Sequence, residues 1–172
     1  MVNKKLMALA VIFLLLAIGS HAYIRAHPEP VEPDGFTLEE LLDGMELRTD
    51  GQIQYNLDSV STENTVVSLY GWALMEGHST EFTNVVIGLR DTAGNLRLFT
   101  TEKIARTDVS AAFDNSLYEG SGFSAECNMN GLPEGNYTVV LYLTDAKLDA
   151  YYTLDLPGNV TFDGLDIAYL AA

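Results

Sequence analysis

Short runs in which apolar and polar residues alternate dominate the chain from Gly51 onward. In QIQYNLDSV the residues Ile53, Tyr55 and Leu57 alternate with polar neighbours. Six further runs follow: TVVSLYGWAL, TNVVIGLRD, LRLFTT, GFSAECNM, YTVVLYLTD and YYTLDL. Turns such as DTAGN and LPEGN separate them, without an amphipathic helix between them. The period of two predicts an all-β domain over residues 51–172, folded as an antiparallel β-sandwich of about seven strands.

The segment LPEGNY indicates which kind of sandwich this is. Leu132, Gly135 and Tyr137 have the L-x-x-G-x-Y spacing of a tyrosine corner, in which a tyrosine hydroxyl bonds back to upstream backbone. The spacing predicts an immunoglobulin-like sandwich and gives Gly135 and Tyr137 structural roles. The single tryptophan, Trp72, is predicted to be a core aromatic on an earlier strand, with stacking on a sugar as the alternative.

The first 25 residues form a segment of their own. Lys4 and Lys5 precede an unbroken apolar run over residues 6–18, which is typical of a helix that engages the export machinery. The small residues around His21 offer a cleavage site, but residues 6–24 are also long enough to span a bilayer. Residues 1–25 are therefore either a signal peptide or a single-pass anchor with its N-terminus inside. Both place the rest of the chain outside the cytoplasm.

Two short segments connect this region to the β domain. Residues 26–35 hold three prolines and three acidic residues and are predicted to be a stiff, solvated stalk. Residues 36–50 are predicted to hold a short amphipathic helix and a connector. Thr37 and Glu40 have the spacing of a capping box, and Gly44 is expected to end the helix.

The charge of the chain excludes some partners. The sequence has 9 basic and 24 acidic residues and a net charge of −15. Without the first 22 residues, seven basic and 24 acidic residues remain, a net charge of −17. Phosphate backbones and anionic headgroups repel such a surface, so we expect no nucleic-acid binding, and membrane association only through the N-terminal segment.

No set of residues predicts catalysis, a metal site or a cofactor. The one cysteine, Cys127, lies in an apparent strand and is expected to be buried. Of the three histidines, His78 alone lies in the β domain, where it is expected to be an exposed turn residue without a metal-ligand partner. Arg106 and Asp108 are expected to fix a loop at the end of a strand. We therefore predict a protein that is not an enzyme.

Four motifs, in order, resemble a known type of module. YGWA begins at Tyr70, RTDV at Arg106, SGF at Ser121 and LPEGNY at Leu132. This pattern is similar to that of small β-sandwich modules of Gram-positive bacteria, which occur in membrane-anchored and envelope-polysaccharide-associated proteins. The resemblance implies fold and location, over residues 66–154. It implies no transferase activity, because the chain has no multi-pass catalytic portion.

Two functions remain open on this basis. The first is a non-enzymatic, membrane-anchored immunoglobulin-like module that recognises a protein or glycan of the cell envelope. The alternative is a carbohydrate-binding accessory in the assembly of envelope polysaccharide. In that case we expect exposed aromatic residues, such as Tyr118, Tyr151 or Phe99, to stack on sugar faces.

Overall fold

The computed structural model describes residues 38–171. The predicted export segment (residues 1–25), the stalk (26–35) and the capping residue Thr37 lie outside the described residues. No helix in residues 38–171 is long and apolar enough to cross a membrane.

The described chain is mostly β-structure, in two sheets. The strands are β1 (Glu46–Leu47), β2 (Ile53–Glu63), β3 (Val66–Met75), β4 (Thr83–Asp91), β5 (Leu96–Thr100), β6 (Glu102–Ile104), β7 (Gly122–Asn128), β8 (Gly135–Asp145), β9 (Ala150–Phe162) and β10 (Ile167–Leu170). The helices are α1 (Leu38–Leu42), α2 (Thr107–Ala112) and a 3-10 helix (Ser116–Ser121). The prediction of an all-β domain with two sheets is confirmed.

The strand order explains how the sheets form. One sheet has the order β1-β9-β8-β4-β5, and β10 also pairs with β9; the other has the order β2-β3-β7-β6. All the described pairings are antiparallel except that of β1 with β9. The seven predicted runs correspond to β2, β3, β4, β5, β7, β8 and β9. β1 and β6 are two and three residues long, too short for an alternating pattern to identify. β10 lies in residues 160–170, which the sequence predicts to be a final edge strand or a segment packing along the sandwich.

The main core lies between the inner faces of the two sheets. Alternate residues of β3, such as Leu69 and Ala73, meet alternate residues of β8, such as Val139 and Leu141. Cys127 is fully buried in this core, as the sequence predicted, and burial raises the pKa of its thiol to about 12. The thiol is therefore protonated at neutral pH and is a packing group.

Part of the outer face of the larger sheet is covered by the predicted short helix. Leu38 and Leu41 of α1 pack on a buried cluster formed by residues of β4, β5 and β8. The helix ends at Leu42, and Gly44 two residues later adopts φ +74°, a left-handed conformation that glycine takes without steric cost. α1 thus covers part of the outer face, while Thr153 and Asp155 of β9 remain exposed there.

Candidate recognition site

A bulge in β2 shapes one edge of the smaller sheet. Leu57 pairs with Gly71 and Ser59 pairs with Tyr70, so Asp58 is an extra residue without a partner on β3. Gly71 makes this geometry possible, since a Cβ atom there would lie 2.3 Å from the carbonyl oxygen of Asn56. The glycine of the YGWA motif is therefore needed for the bulge in the neighbouring strand.

The bulge brings Asp58 to the arginine of the RTDV motif. Arg106 donates from Nη1 to Asp58 Oδ2 at 2.5 Å, and from Nε and Nη2 to both carboxylate oxygens of Asp108 at 2.8 and 2.7 Å. Its guanidinium also lies 5.9 Å from the centre of the Tyr70 ring. The hydrogen bonds from Arg106 lower the pKa of Asp108 to about 2, and the hydrogen bonds to these two carboxylates raise the pKa of Arg106.

This geometry indicates that Arg106 and Asp108 act together as a structural unit. The Arg106 side chain is only 11% exposed, and two carboxylates already occupy its guanidinium. Its aliphatic part packs on Gly122, where an added Cβ would meet Arg106 Cγ at 2.7 Å. The first three of the four predicted motifs therefore meet around one side chain.

Trp72 lies on the outer face of the smaller sheet. It is half-buried against a small cluster formed by Leu74, Val109 and Tyr118, outside the core between the sheets. Its ring packs edge-on against Phe113, with the centroids 5.8 Å apart. The prediction of a core aromatic thus holds for packing but not for location, because α2 and the 3-10 helix create a second apolar layer here.

The LPEGNY segment has the contacts that a tyrosine corner requires. The Tyr137 ring is buried, and its hydroxyl donates to the Pro133 carbonyl at 2.5 Å. Gly135 has φ +153°, which lies at the border of the region that favours glycine. The segment fixes the start of β8 against the loop before it.

The three aromatic residues that the sequence suggested as sugar platforms are not arranged for that role. Tyr118 is 4% exposed and Phe99 is 8% exposed, so the prediction that they are exposed is wrong. Tyr118 is turned inward, where its hydroxyl accepts from Gly77 N, and Phe99 pairs with Ile87 and points into the main core. Tyr151 is half-buried against the cluster that α1 covers.

His78 is not the exposed turn residue that the sequence predicted. Its side chain is 32% exposed, and Nδ1 lies 3.2 Å from Oδ2 of the buried Asp145. The other oxygen of Asp145 accepts from the backbone N–H groups of Lys147 and Leu148. The pair therefore joins two loops beside a shallow depression of about 220 Å³. Nowhere in residues 38–171 are three or more His, Cys, Asp or Glu side chains grouped to hold a metal ion.

A second concave feature, larger than the depression beside His78, is a groove along β2, which we call the β2 groove. It has a volume of about 470 Å³ and is lined by residues 55–60, Pro157, Tyr169 and Ala171. Side chains of a strand alternate between its two faces. A groove that contacts six consecutive residues must therefore run along the edge of the strand rather than over one face.

The opposite wall of the β2 groove depends on a second irregularity. Residues 156–158 of β9 oppose only Val139 of β8, so β9 bulges outward at Pro157. Gly158 has φ +96°, and the Tyr169 hydroxyl donates to the Pro157 carbonyl at 2.8 Å. Sequence reasoning missed this wall, although a Pro-Gly pair within a strand-like run is a signal for a bulge.

No protein-family model, curated protein or solved structure matches this chain. The geometry of the site is therefore the basis for assigning a function.

The electrostatic character of the domain follows from its side chains. Residues 38–171 contain six basic and 21 acidic residues. Arg48 pairs with Asp50 and Arg90 pairs with Asp155, while Arg106 pairs with Asp58 and Asp108. Lys103 donates to the Thr80 carbonyl at 2.6 Å, and burial lowers its pKa. Most of the basic side chains thus bond to groups within the domain, and the surface as a whole is anionic.

Proposed function

We propose that this protein is a non-enzymatic, immunoglobulin-like module outside the cytoplasm that recognises a component of the cell envelope through its β2 groove. Residues 1–25 would hold it in the membrane, or be removed on secretion. This proposal joins the predicted export segment to the β2 groove of the domain.

The immunoglobulin-like assignment has two supports. The first is the antiparallel pairing in two sheets, with the Tyr137 hydroxyl bonded to the Pro133 carbonyl at the start of β8. The second is the meeting of the YGWA, RTDV and SGF motifs around Arg106. The resemblance to envelope-associated modules of Gram-positive bacteria is consistent with this arrangement and suggests the location.

The observation that carries the recognition role is the β2 groove itself. Two bulges, at Asp58 and at Pro157, border one groove from opposite sides. Bulges occur preferentially at sheet edges and next to functional sites, where they redirect side chains. Its lining combines half-buried tyrosines with amide, carboxylate and hydroxyl groups, a mixture suited to binding a partner.

A glycan is the second candidate ligand for the same groove. Tyr55 and Tyr169 both line it, beside Asn56, Asp58 and Ser59. Tyrosine rings and polar side chains are the groups that bind sugar faces and sugar hydroxyls. In this form of the carbohydrate-binding hypothesis, Tyr55 and Tyr169 replace Tyr118 and Phe99 as the stacking residues.

Site-specific photo-crosslinking in the native cell tests the proposal. A photoreactive amino acid at Ser59 lies in the β2 groove, and one at the exposed Glu126 of β7 is the matched control, two strands away. We expect a discrete crosslinked species for position 59 and none for position 126. Digestion with protease or glycosidase then tells whether the captured partner is protein or glycan. Equal crosslinking at both positions, or none at position 59, would contradict the proposal.

A further inference from the structure

The β2 groove exposes the edge of a long strand. β2 has 11 residues and, among the described strands, pairs with β3 alone. Its other edge therefore presents backbone N–H and C=O groups away from β3. Six consecutive residues of this edge, 55–60, face the groove. This part of the molecule has the geometry of a template for one more strand.

The residues of β2 lack several of the usual protections of an exposed edge. Proteins commonly block such edges with lysine, proline or a very short strand. β2 contains no lysine or proline. The protections that are present are the bulge at Asp58 and the nearby β10, which contacts β2 and forms part of the opposite wall of the groove. None of its residues is buried, although Ile53, Tyr55, Leu57 and Val60 pack against the core. An added strand would remove the remaining apolar surface of these residues from water.

Charge limits which strand could bind there. β2 carries the acidic residues Asp58 and Glu63 and no basic residue. Arg106 lies nearby, but Asp58 and Asp108 hold its guanidinium. A second copy of this domain would bring another excess of 15 acidic over basic residues, so like charge disfavours pairing between copies. An extended segment rich in lysine or arginine has the complementary charge.

From this edge and its charge we propose that β2 binds a basic, extended segment of a partner protein as an added strand. The inference rests on the proposed recognition function and specifies its ligand. Main-chain hydrogen bonds to the β2 edge would provide affinity. The acidic Glu63 and the excess of acidic residues in the domain would select basic side chains, whereas Asp58 is already paired with Arg106. Six residues of strand span about 20 Å, so a segment of six to ten residues is sufficient.

Peptide binding to the full-length chain in non-ionic detergent tests this inference. The probe is a peptide of about ten residues that alternates lysine and valine. One control replaces every lysine by glutamate. The other is N-methylated at alternate residues, which removes strand hydrogen bonds while keeping the side chains. We expect the lysine peptide to bind at least about tenfold more tightly than either control. Amide hydrogen exchange should slow in β2.

Two charge-reversal variants provide the protein-side comparison. Glu63→Lys changes an exposed residue of β2, and Glu126→Lys makes the same change on β7. We expect Glu63→Lys to weaken binding of the lysine peptide several-fold and Glu126→Lys to leave it nearly unchanged. Equal effects would mean that only the overall charge of the domain matters, which would overturn the inference.

The remaining outcomes separate this inference from the proposed function. Absence of peptide binding, equal binding of the N-methylated peptide, or unchanged exchange in β2 would overturn strand addition. If crosslinking at Ser59 still captures a partner, recognition stands and only the mode of binding is wrong. If an envelope glycan slows the exchange of the β2 amides and the lysine peptide does not, strand addition is overturned in favour of carbohydrate binding. Loss of the Ser59 crosslink would remove the proposed function itself.

Discussion

Replacing Tyr137 with phenylalanine tests the fold through a single hydroxyl group. The ring is 3% exposed and keeps its packing in the variant, so the change removes only the hydrogen bond to the Pro133 carbonyl. Leaving a buried polar group without a partner costs about 1–3 kcal/mol. Pro133 is an exposed residue, so water can reach its carbonyl once the hydroxyl is gone. We therefore expect a loss near the lower limit, about 1 kcal/mol.

Urea unfolding of residues 34–172, which form one compact unit, gives this difference in free energy. Tyr151→Phe is the matched control, because Tyr151 is half-buried on the outer face of the larger sheet. Its expected loss is within about 0.5 kcal/mol. In thermal unfolding, about 1 kcal/mol corresponds to a decrease of roughly 3–5 °C for a domain of this size. Equal losses for the two variants would refute the tyrosine corner and, with it, one of the two supports for the immunoglobulin-like assignment.

Three further predictions concern the cluster around the bulge and the core. Gly71→Ala should destabilise the domain by about 1–3 kcal/mol in urea unfolding, since its Cβ would meet the Asn56 carbonyl; a loss below about 0.5 kcal/mol would contradict this. Because Arg106 lowers the pKa of Asp108 to about 2 from an ordinary value of 3.8, this pair should contribute stability above about pH 4 and lose it as the pH falls toward 2. Arg106→Gln should flatten that part of the pH–stability curve, and an unchanged curve would refute the link. Cys127 should resist alkylation at pH 8 until urea unfolds the domain, whereas rapid labelling of the native protein would contradict its burial.

The fold could be read from the sequence because the alternation of residues is local. β2 and β9 show a period of two, β4 and β8 are short apolar runs bounded by turn residues, and the spacing around Tyr137 lies within six residues. The same local logic misplaced Phe99. In β5 the apolar residues Leu96 and Leu98 share one face, while Phe99 shares the other with Arg97. Alternation alone predicts that this second face is exposed to solvent. In the structure α1 covers the face that carries Leu98, and Phe99 packs in the main core on the other face.

The β2 groove could not be predicted in the same way. It needs an extra residue at Asp58, a bulge at Pro157, and the approach of β10. These features depend on the register between strands that are far apart in the sequence, and a register cannot be read from one strand. The ion pair of Arg106 with Asp58 has the same origin, since 48 residues separate its partners. Local pattern thus predicts the elements, and tertiary pairing creates the site.

Hydrogen exchange of β2 in the native envelope tests the central claim most directly. The full-length protein is exchanged in its own membranes and again after purification, and residues 53–63 are compared with residues 122–128 of β7. If a partner occupies the β2 groove, the β2 amides should exchange at least about tenfold more slowly in the envelope than in the purified protein, while β7 stays unchanged. Equal exchange of β2 in the two states would contradict recognition through this edge.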